Sequence, residues 1–491
     1  MMPLLRLARG LAVLVALAAP PLAQTVAVVD VSLVPLDSAH TIPHHTVLIE
    51  DGVIVSVGGA SEVAVPPEAT VVDGAGRFLM PGLSDMHMHF AAPGVQASAE
   101  SNRATLALLL AHGVTSVRNL WGSEALLALR DSVDAGHLFG PRIWTTGPFV
   151  VGRPDTLTAP WSERELASGE PGYIYARTEE DGRAAVRYHA ARGYDGLKVH
   201  NQTPMAVYRG VIDESERLGV AVVGHAPWAV GLGHVLTHDG QSSVEHYDSF
   251  VGLAQASGAP SRTASAWYDR TLGAAQYASD DRLALLAELA EVSGMWFTPT
   301  TLVAEWYSGP QPDMIARLGA PEVLRYTSAA QRGLWRAYAE GFAVNYAAWG
   351  LDMNDDRIFA LRTLRALHGA GARLLVGSDA PATMAPQGLA LHDEMALWAE
   401  AGLSPLAILQ AAALAPHAYF REVGFSEFTG AIAVGQPADL VLLNADPLAD
   451  IAHAREIESV IARGRLLTRT DLDAMLAIVE ATYAASGENA P

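Results

Sequence analysis

The chain contains no cysteine. That excludes disulfides and thiolate metal sites, so any bound metal must rest on His, Asp, Glu or a modified Lys. Basic residues are also scarce: 32 Lys and Arg stand against 53 Asp and Glu, a formal net charge of −21. Gripping nucleic acid through a basic face requires Lys and Arg on phosphates, and this balance argues against it. No run of like charge marks an interaction tail, and no repeat at solenoid spacing is evident. Beyond the first residues, no segment is long and apolar enough to cross a bilayer. That first segment reads MMPLLRLARGLAVLVALAAPPLAQ, with Arg6 and Arg9 ahead of a short apolar core from Leu11 to Ala19. Small or turn-forming residues follow up to Ala23. This is the pattern of a secretory signal peptide, too short for a membrane span, with a retained membrane anchor as the alternative reading. It predicts cleavage near Ala23 and an exported chain, periplasmic if the source is a Gram-negative bacterium, with no stable membrane span afterwards.

What is present is a chain of 491 residues, half of them apolar. That is long for one ordinary core, and it suggests a large barrel or more than one domain. Val26 to Leu36, His45 to Gly59 and Thr70 to Gly82 carry β-branched runs broken by Gly and Asp turns. Asp51-Gly52 is a hairpin signal. From Pro81 onward strand-like runs alternate with helical stretches, the signature of parallel α/β units. Candidate strands lie near Ser84–Phe90, Val114–Leu120, Arg142–Gly147, Gly193–His200, Gly219–His225, Ser242–Tyr247, Met295–Thr300 and Arg373–Asp379. The spacing predicts a (β/α)8 TIM-like barrel, with extra helices in the long gaps before the last two strands. The Trp- and Tyr-containing stretch from Pro310 to Tyr346 reads either as a lid or as an outer packing pair. Thr429 to Ile451 and Ile457 to Leu467 return to strand character. The expected organisation is α/β: a signal peptide at 1–23, a small β-sandwich domain built from both chain ends (24–80 and 429–470), a barrel over 81–428, and a C-terminal helix and tail over 471–491.

The stretch PGLSDMHMHF places His87 and His89 one residue apart. In a strand, residues i and i+2 share a face, so both imidazoles point one way. The fourth candidate strand carries Lys198, the fifth ends in His225, the sixth in His246 and the eighth in Asp379. Chemistry in such barrels gathers at the C-terminal rim. Each residue alone has a bland reading: a satisfied core histidine, a surface lysine, or an aspartate capping a helix. Together they are six metal-competent groups in order at strand ends.

These motifs resemble the amidohydrolase superfamily, and most closely its imidazolonepropionase-like and prolidase-like metal-dependent hydrolases. MPGLSDMHMHF, HGVTSVRNL, GPRIWTTG, YDGLKVH, VVGHAP, SVEHYD, VGSDA and GAIAVGQPADLVLLNADPLADI carry the likeness, from about Val26 to Leu467. The resemblance implies two divalent metal ions, Zn2+ by the nitrogen and oxygen donor set, with manganese, cobalt or nickel as alternatives. It implies a CO2-derived carboxylation of Lys198, which turns a cation into a bridging anion. His87, His89 and Asp379 would then hold one ion, and His225 and His246 the other. Asp379 would shuttle the proton while a metal-activated hydroxide attacks. The implied substrates are small amides, dipeptides or N-acyl amino acids. Lactones, cyclic amides or phosphotriesters are the alternative on the same site. A non-catalytic binding protein on this scaffold is the other reading, and a homo-oligomer is left open.

Other rim residues are candidates for substrate contact. His200 shares a strand face with Lys198. Arg118 or Arg153 offers a fork for a carboxylate. Trp121, Trp228 and Tyr247 offer an apolar wall. Trp228 stands where some dipeptide-cleaving relatives carry a substrate-contacting tyrosine. His392 and Glu394 match a helix motif of the family and read as buried scaffold, and His112 as a helix-end cap.

Overall fold

In the computed structural model, residues 24–91, 98–152, 172–238, 240–257, 275–307, 315–349, 353–425 and 430–485 are described. The expected signal peptide at 1–23 lies outside them. Both chain ends meet in one sheet. Val26–Leu33, Ile42–Glu50, Val53–Gly59, Thr70–Asp73 and Phe78–Pro81 join Leu440–Leu443, Ile457–Ala462 and Arg465–Thr468 in a single eight-stranded sheet. Phe78–Pro81 pairs antiparallel with Leu440–Leu443 and so stitches the ends together. At the hairpin, Asp51 and Gly52 both take positive φ, 48° and 82°, as a tight two-residue turn demands. Val28, Val47, Ile49, Ile54, Leu440 and Ile461 form this sheet's own apolar core. The eight strands pair continuously, and their buried side chains divide between two clusters: Leu440, Leu442 and Ile461 in this one, Val441, Leu443 and Val460 in the core shared with the parallel strands.

The eight candidate strands of the middle region are present: Leu83–Met88, Val114–Asn119, Arg142–Thr145, Gly196–Val199, Ala221–Gly224, Ser243–Glu245, Trp296–Thr298 and Arg373–Leu374. All their pairings are parallel. They fall into three sheets rather than one closed ladder. Isolated parallel bridges link the sheets in turn, Thr146 to Gly196, Val222 to Gln241, and Ala380 back to Met88. Helices such as Glu179–Arg192 and Met205–Leu218 run between the strands. The first opens on a Thr178–Asp181 capping box and closes on left-handed Gly193. A large core of Leu, Val and Ala side chains lies between strands and helices.

The long gaps hold the expected extra helices, including Asp280–Ser293 before the seventh strand, and Pro321–Tyr326, Ala329–Trp349 and Met353–Ala370 before the eighth. Trp335 on the third of those four is buried, and its indole donates to Pro381 O at 2.9 Å. With Leu302, Leu318, Val323 and Met384 it forms a separate apolar cluster. The described part of the insertion therefore packs onto the turn that follows Asp379. The helix Arg469–Ala485 packs on Ala99–Ala111. No helix among the described residues is long and apolar enough to cross a membrane.

Candidate metal centre and active site

The first strand delivers His87 and His89, and the others deliver the rest by the same logic of strand ends. His87 Nδ1 donates to Glu245 Oε2 at 2.9 Å. A carboxylate only accepts, so the proton sits on Nδ1 and the Nε2 lone pair is left free. That Nε2 faces Lys198 Nζ at 3.1 Å and Asp379 Oδ1 at 3.4 Å. His246 is oriented by a second device. Its Nδ1 lies 2.7 Å from Thr300 Oγ1, whose own proton goes to Pro299 O at 2.8 Å. Thr300 must therefore accept from His246, which again leaves Nε2 as the lone pair. His89 Nε2 lies 2.9 Å from Asp379 Oδ1. The His225 ring sits between His200 and His246, with centroids 4.3 and 4.5 Å away.

Asp379 is placed by a strained turn. His246, Thr300 and Asp379 all take positive φ, at 67°, 47° and 54°, a region that non-glycine residues rarely enter. Asp85 braces this turn: its carboxylate accepts from Ser378 N at 3.0 Å, Ser378 Oγ at 2.6 Å and His87 N at 3.2 Å. Asp379 N donates to His87 O at 2.6 Å. One carboxylate thus ties the first strand to the eighth. Gly377 is needed beside it, because a Cβ there would come within 2.7 Å of His87 N.

Burial sets the charge states. It is the first cause that holds His87 and His225 well below the ordinary imidazole range, and His200 and His246 at about 3. The imidazoles are therefore neutral, with lone pairs to offer. Burial also lowers Lys198 to about 8, with Asp379 and Glu245 pulling the other way. Burial alone would raise Asp379, but the His89 hydrogen bond and the nearby His246 and Lys198 hold it below its usual value.

This donor set fits divalent cations. Donor atoms of His87, His246 and Asp379 lie within 4.8 Å of one another. Nδ1 of His89 and Nδ1 of His225 are buried without a hydrogen-bond partner, an uncommon condition that calls for an explanation. Nδ1 anchoring of His87 and His246 is the arrangement that prepares an imidazole for a metal.

The remaining candidates divide. His200 joins the cup, stacked on Phe149 at 5.4 Å. Trp228 is half-buried on the turn after the fifth strand, its N–H donating to Asn201 O at 2.9 Å. Arg118 is a correction. It is fully buried, with Nε on Met86 O at 2.6 Å, Nη1 on Ser243 Oγ at 2.9 Å, and Nη2 on Glu245 Oε1 at 2.7 Å and Thr298 Oγ1 at 3.0 Å. Its fork is spent inside the protein rather than on substrate. Tyr247 is a second correction: its hydroxyl donates to Asp356 and its ring packs near Phe359, so it belongs to the core. Arg153 lies outside the described residues. His392 and Glu394 are scaffold: His392 Nε2 meets His112 O, and Glu394 accepts from Thr301 and Leu302 at the start of Leu302–Tyr307. His112 itself ends the helix Ala99–Ala111. Residue-type reasoning passed over Glu245, Thr300 and Asp85. Glu245 and Asp85 left the same signal, an acid inside an otherwise buried strand.

The Amidohydrolase family model matches residues 78–467, and the chain belongs to that family. Bottromycin amidohydrolase is similar in structure, with a TM-score of 0.71, 26% identity, and 96% of this chain and 93% of that one covered. A Xaa-Pro dipeptidase with bound methionine in its active site shares the fold at TM-score 0.64 and 18% identity, over 91% of this chain and all of that one. These likenesses give the three linked sheets their place in a TIM-like barrel architecture. In sequence, an adenine deaminase of Rubrobacter xylanophilus is 28% identical over 214 residues, 40% of this chain. That match spans only 34% of the deaminase's own length.

Proposed function

We propose that the chain is an exported, binuclear metal-dependent hydrolase of amide bonds, with dipeptides or N-acyl amino acids as substrates. One observation carries this reading: donor atoms of His87, His246 and Asp379 lie within 4.8 Å of one another, and Lys198 Nζ stands 3.1 Å from His87 Nε2. His87, His89 and Asp379 would hold one ion, and His225 and His246 the other. Lys198 would bridge them as a carbamate. A lysine lowered to about 8 keeps an appreciable neutral fraction near neutral pH. That amine adds to CO2, forms an N–C bond and releases a proton, leaving an anion in place of a cation.

When bound, two divalent cations would supply a water nucleophile ionised near neutral pH and an electrophile for the scissile carbonyl. The chain's own residues do the rest. Asp379, ionised in the resting site, takes the proton from the attacking water and hands it to the leaving amine as the C–N bond breaks. Glu245 and Thr300 hold the two imidazoles in one tautomer. Asp85 keeps the Asp379 turn against the first strand.

The test is a chelated protein restored with zinc and bicarbonate, offered dipeptides, N-acyl amino acids, lactones and phosphotriesters. Amide turnover that disappears on chelation and returns with metal is expected. Turnover of lactones or phosphotriesters without any amide would overturn the substrate assignment. Fewer than about one ion retained per chain would overturn the metal assignment.

A further inference from the structure

Beside the cup stands an aromatic cluster that the ligand set does not use. The Trp121 indole stacks on Phe149, with centroids 5.0 Å apart and planes 23° from parallel. Tyr173 closes against both, at 5.8 Å from Trp121 and 5.7 Å from Phe149. The Trp121 ring lies 6.0 Å from His89, edge to face. Phe149 also stacks on His200, so ring contacts run from Trp121 and Tyr173 to the imidazoles. The indole N–H of Trp121 donates to Gly172 O at 3.0 Å, and Phe149 N donates to the same carbonyl at 3.1 Å. The ring is therefore locked, with its polar edge already used.

Exposure separates the members. Phe149 is 5% exposed and forms the packed base. Trp121 and Tyr173 are half-buried, and it is the Trp121 ring that stands next to the His89 imidazole. Such a surface gains by covering an apolar group, and an aromatic one gains further by stacking. We infer that Trp121, Phe149 and Tyr173 form a subsite for an aromatic or bulky apolar group one residue from the scissile bond. This inference rests on the amide-hydrolase reading for the bond cleaved, but the subsite itself binds whether or not cleavage follows.

The test therefore measures binding and turnover separately. Asp379→Asn protein, loaded with zinc, is titrated calorimetrically with N-acetyl-L-phenylalanine and with N-acetylglycine. The aromatic ligand is expected to bind about ten- to a hundredfold more tightly, the range for covering one such side chain. Adding Trp121→Ala or Tyr173→Ala should bring the two affinities within about threefold of each other. Trp121→Leu, which keeps apolar bulk, should retain part of the preference and guards against a variant that fails to fold. Equal affinities in the parent, binding of neither ligand, or a preference that survives both alanine variants would overturn the subsite. Turnover of the same pair by the unsubstituted enzyme answers the other question: aromatic preference in binding without hydrolysis would keep the subsite and sink the amide reading.

Discussion

Two buried polar clusters share the interior of the parallel strands, and Glu245 belongs to both. On one side its Oε1 meets Arg118, whose guanidinium also reaches Met86 O, Ser243 and Thr298. Every named partner there is protein, and both charged side chains are wholly buried. On the other side its Oε2 meets His87, and there the bookkeeping stays open: Nδ1 of His89 and of His225 find no partner. A fold that satisfies one cluster completely has the means to satisfy the next. The difference teaches that the first cluster is a support, while the second is reserved for something the chain does not itself supply.

The largest effects should fall on the open cluster and leave the fold alone. Asp379→Asn should lower turnover by about 10²- to 10⁴-fold, because an amide cannot carry the proton. The protein should still bind metal. Lys198→Met should lose comparable activity and also metal, since the bridging anion goes with it. Turnover rates beside metal analysis check both, and full activity in Lys198→Met would remove the carbamate.

The closed cluster should respond in the opposite sense. Glu245→Gln leaves Arg118 buried with a weakened partner, and breaking such a pair costs about 3–5 kcal/mol. In metal-free protein, His225→Asn should cost only about 1 kcal/mol, because no hydrogen bond of the His225 ring is lost. Denaturant unfolding of the chelated proteins checks both. Equal losses would erase the distinction between support and reserve.

How far the sequence reveals these clusters depends on how local the signal is. HxH spacing, Lys198, and His and Asp at strand ends need only the two-residue period of a strand, and the structure brings all of them to one cup. Arg118 reads as substrate-facing from sequence because residue type does not tell whether a guanidinium's partner is a ligand or Glu245, which lies 127 residues away. Thr300 and Asp85 escaped notice for the same reason: their roles exist only when distant strands meet. Tyr247 follows His246 directly, yet the positive φ at His246 turns the chain, and the phenol enters the core.

A lone unsatisfied atom does not make a site, and Asp356 sharpens the comparison. Its Oδ1 has no partner, but burial raises its carboxyl from 3.8 to about 7 against the pull of the Tyr247 hydroxyl. The native state thus keeps a proton that the unfolded chain has already released between those values. Stability should therefore fall as pH rises across that window. Tyr247→Phe removes the bond that favours the ionised form and carries the loss to higher pH. The expected cost is about 1–3 kcal/mol at pH 8 and less at pH 5, read from unfolding at the two values.

The smallest effect concerns the seam between the clusters. The Asp379 turn is gripped from below by Asp85 through Ser378, and from above by Trp335, whose indole holds Pro381 O. Trp335→Phe keeps the ring in its apolar cluster and deletes one neutral hydrogen bond. The Pro381 carbonyl would still accept from Met384 N at 3.3 Å, so no buried acceptor is orphaned and the cost should stay near ~1 kcal/mol. If the insertion helix only packs, that cost appears as lost stability with kcat unchanged. If it helps aim Asp379, kcat should fall about fivefold while KM and metal content hold, because only the proton-carrying group has moved. Kinetics and metal analysis on the same preparation separate the two, and the outcome decides whether the cup's open cluster is positioned from the strands alone or from the insertion as well.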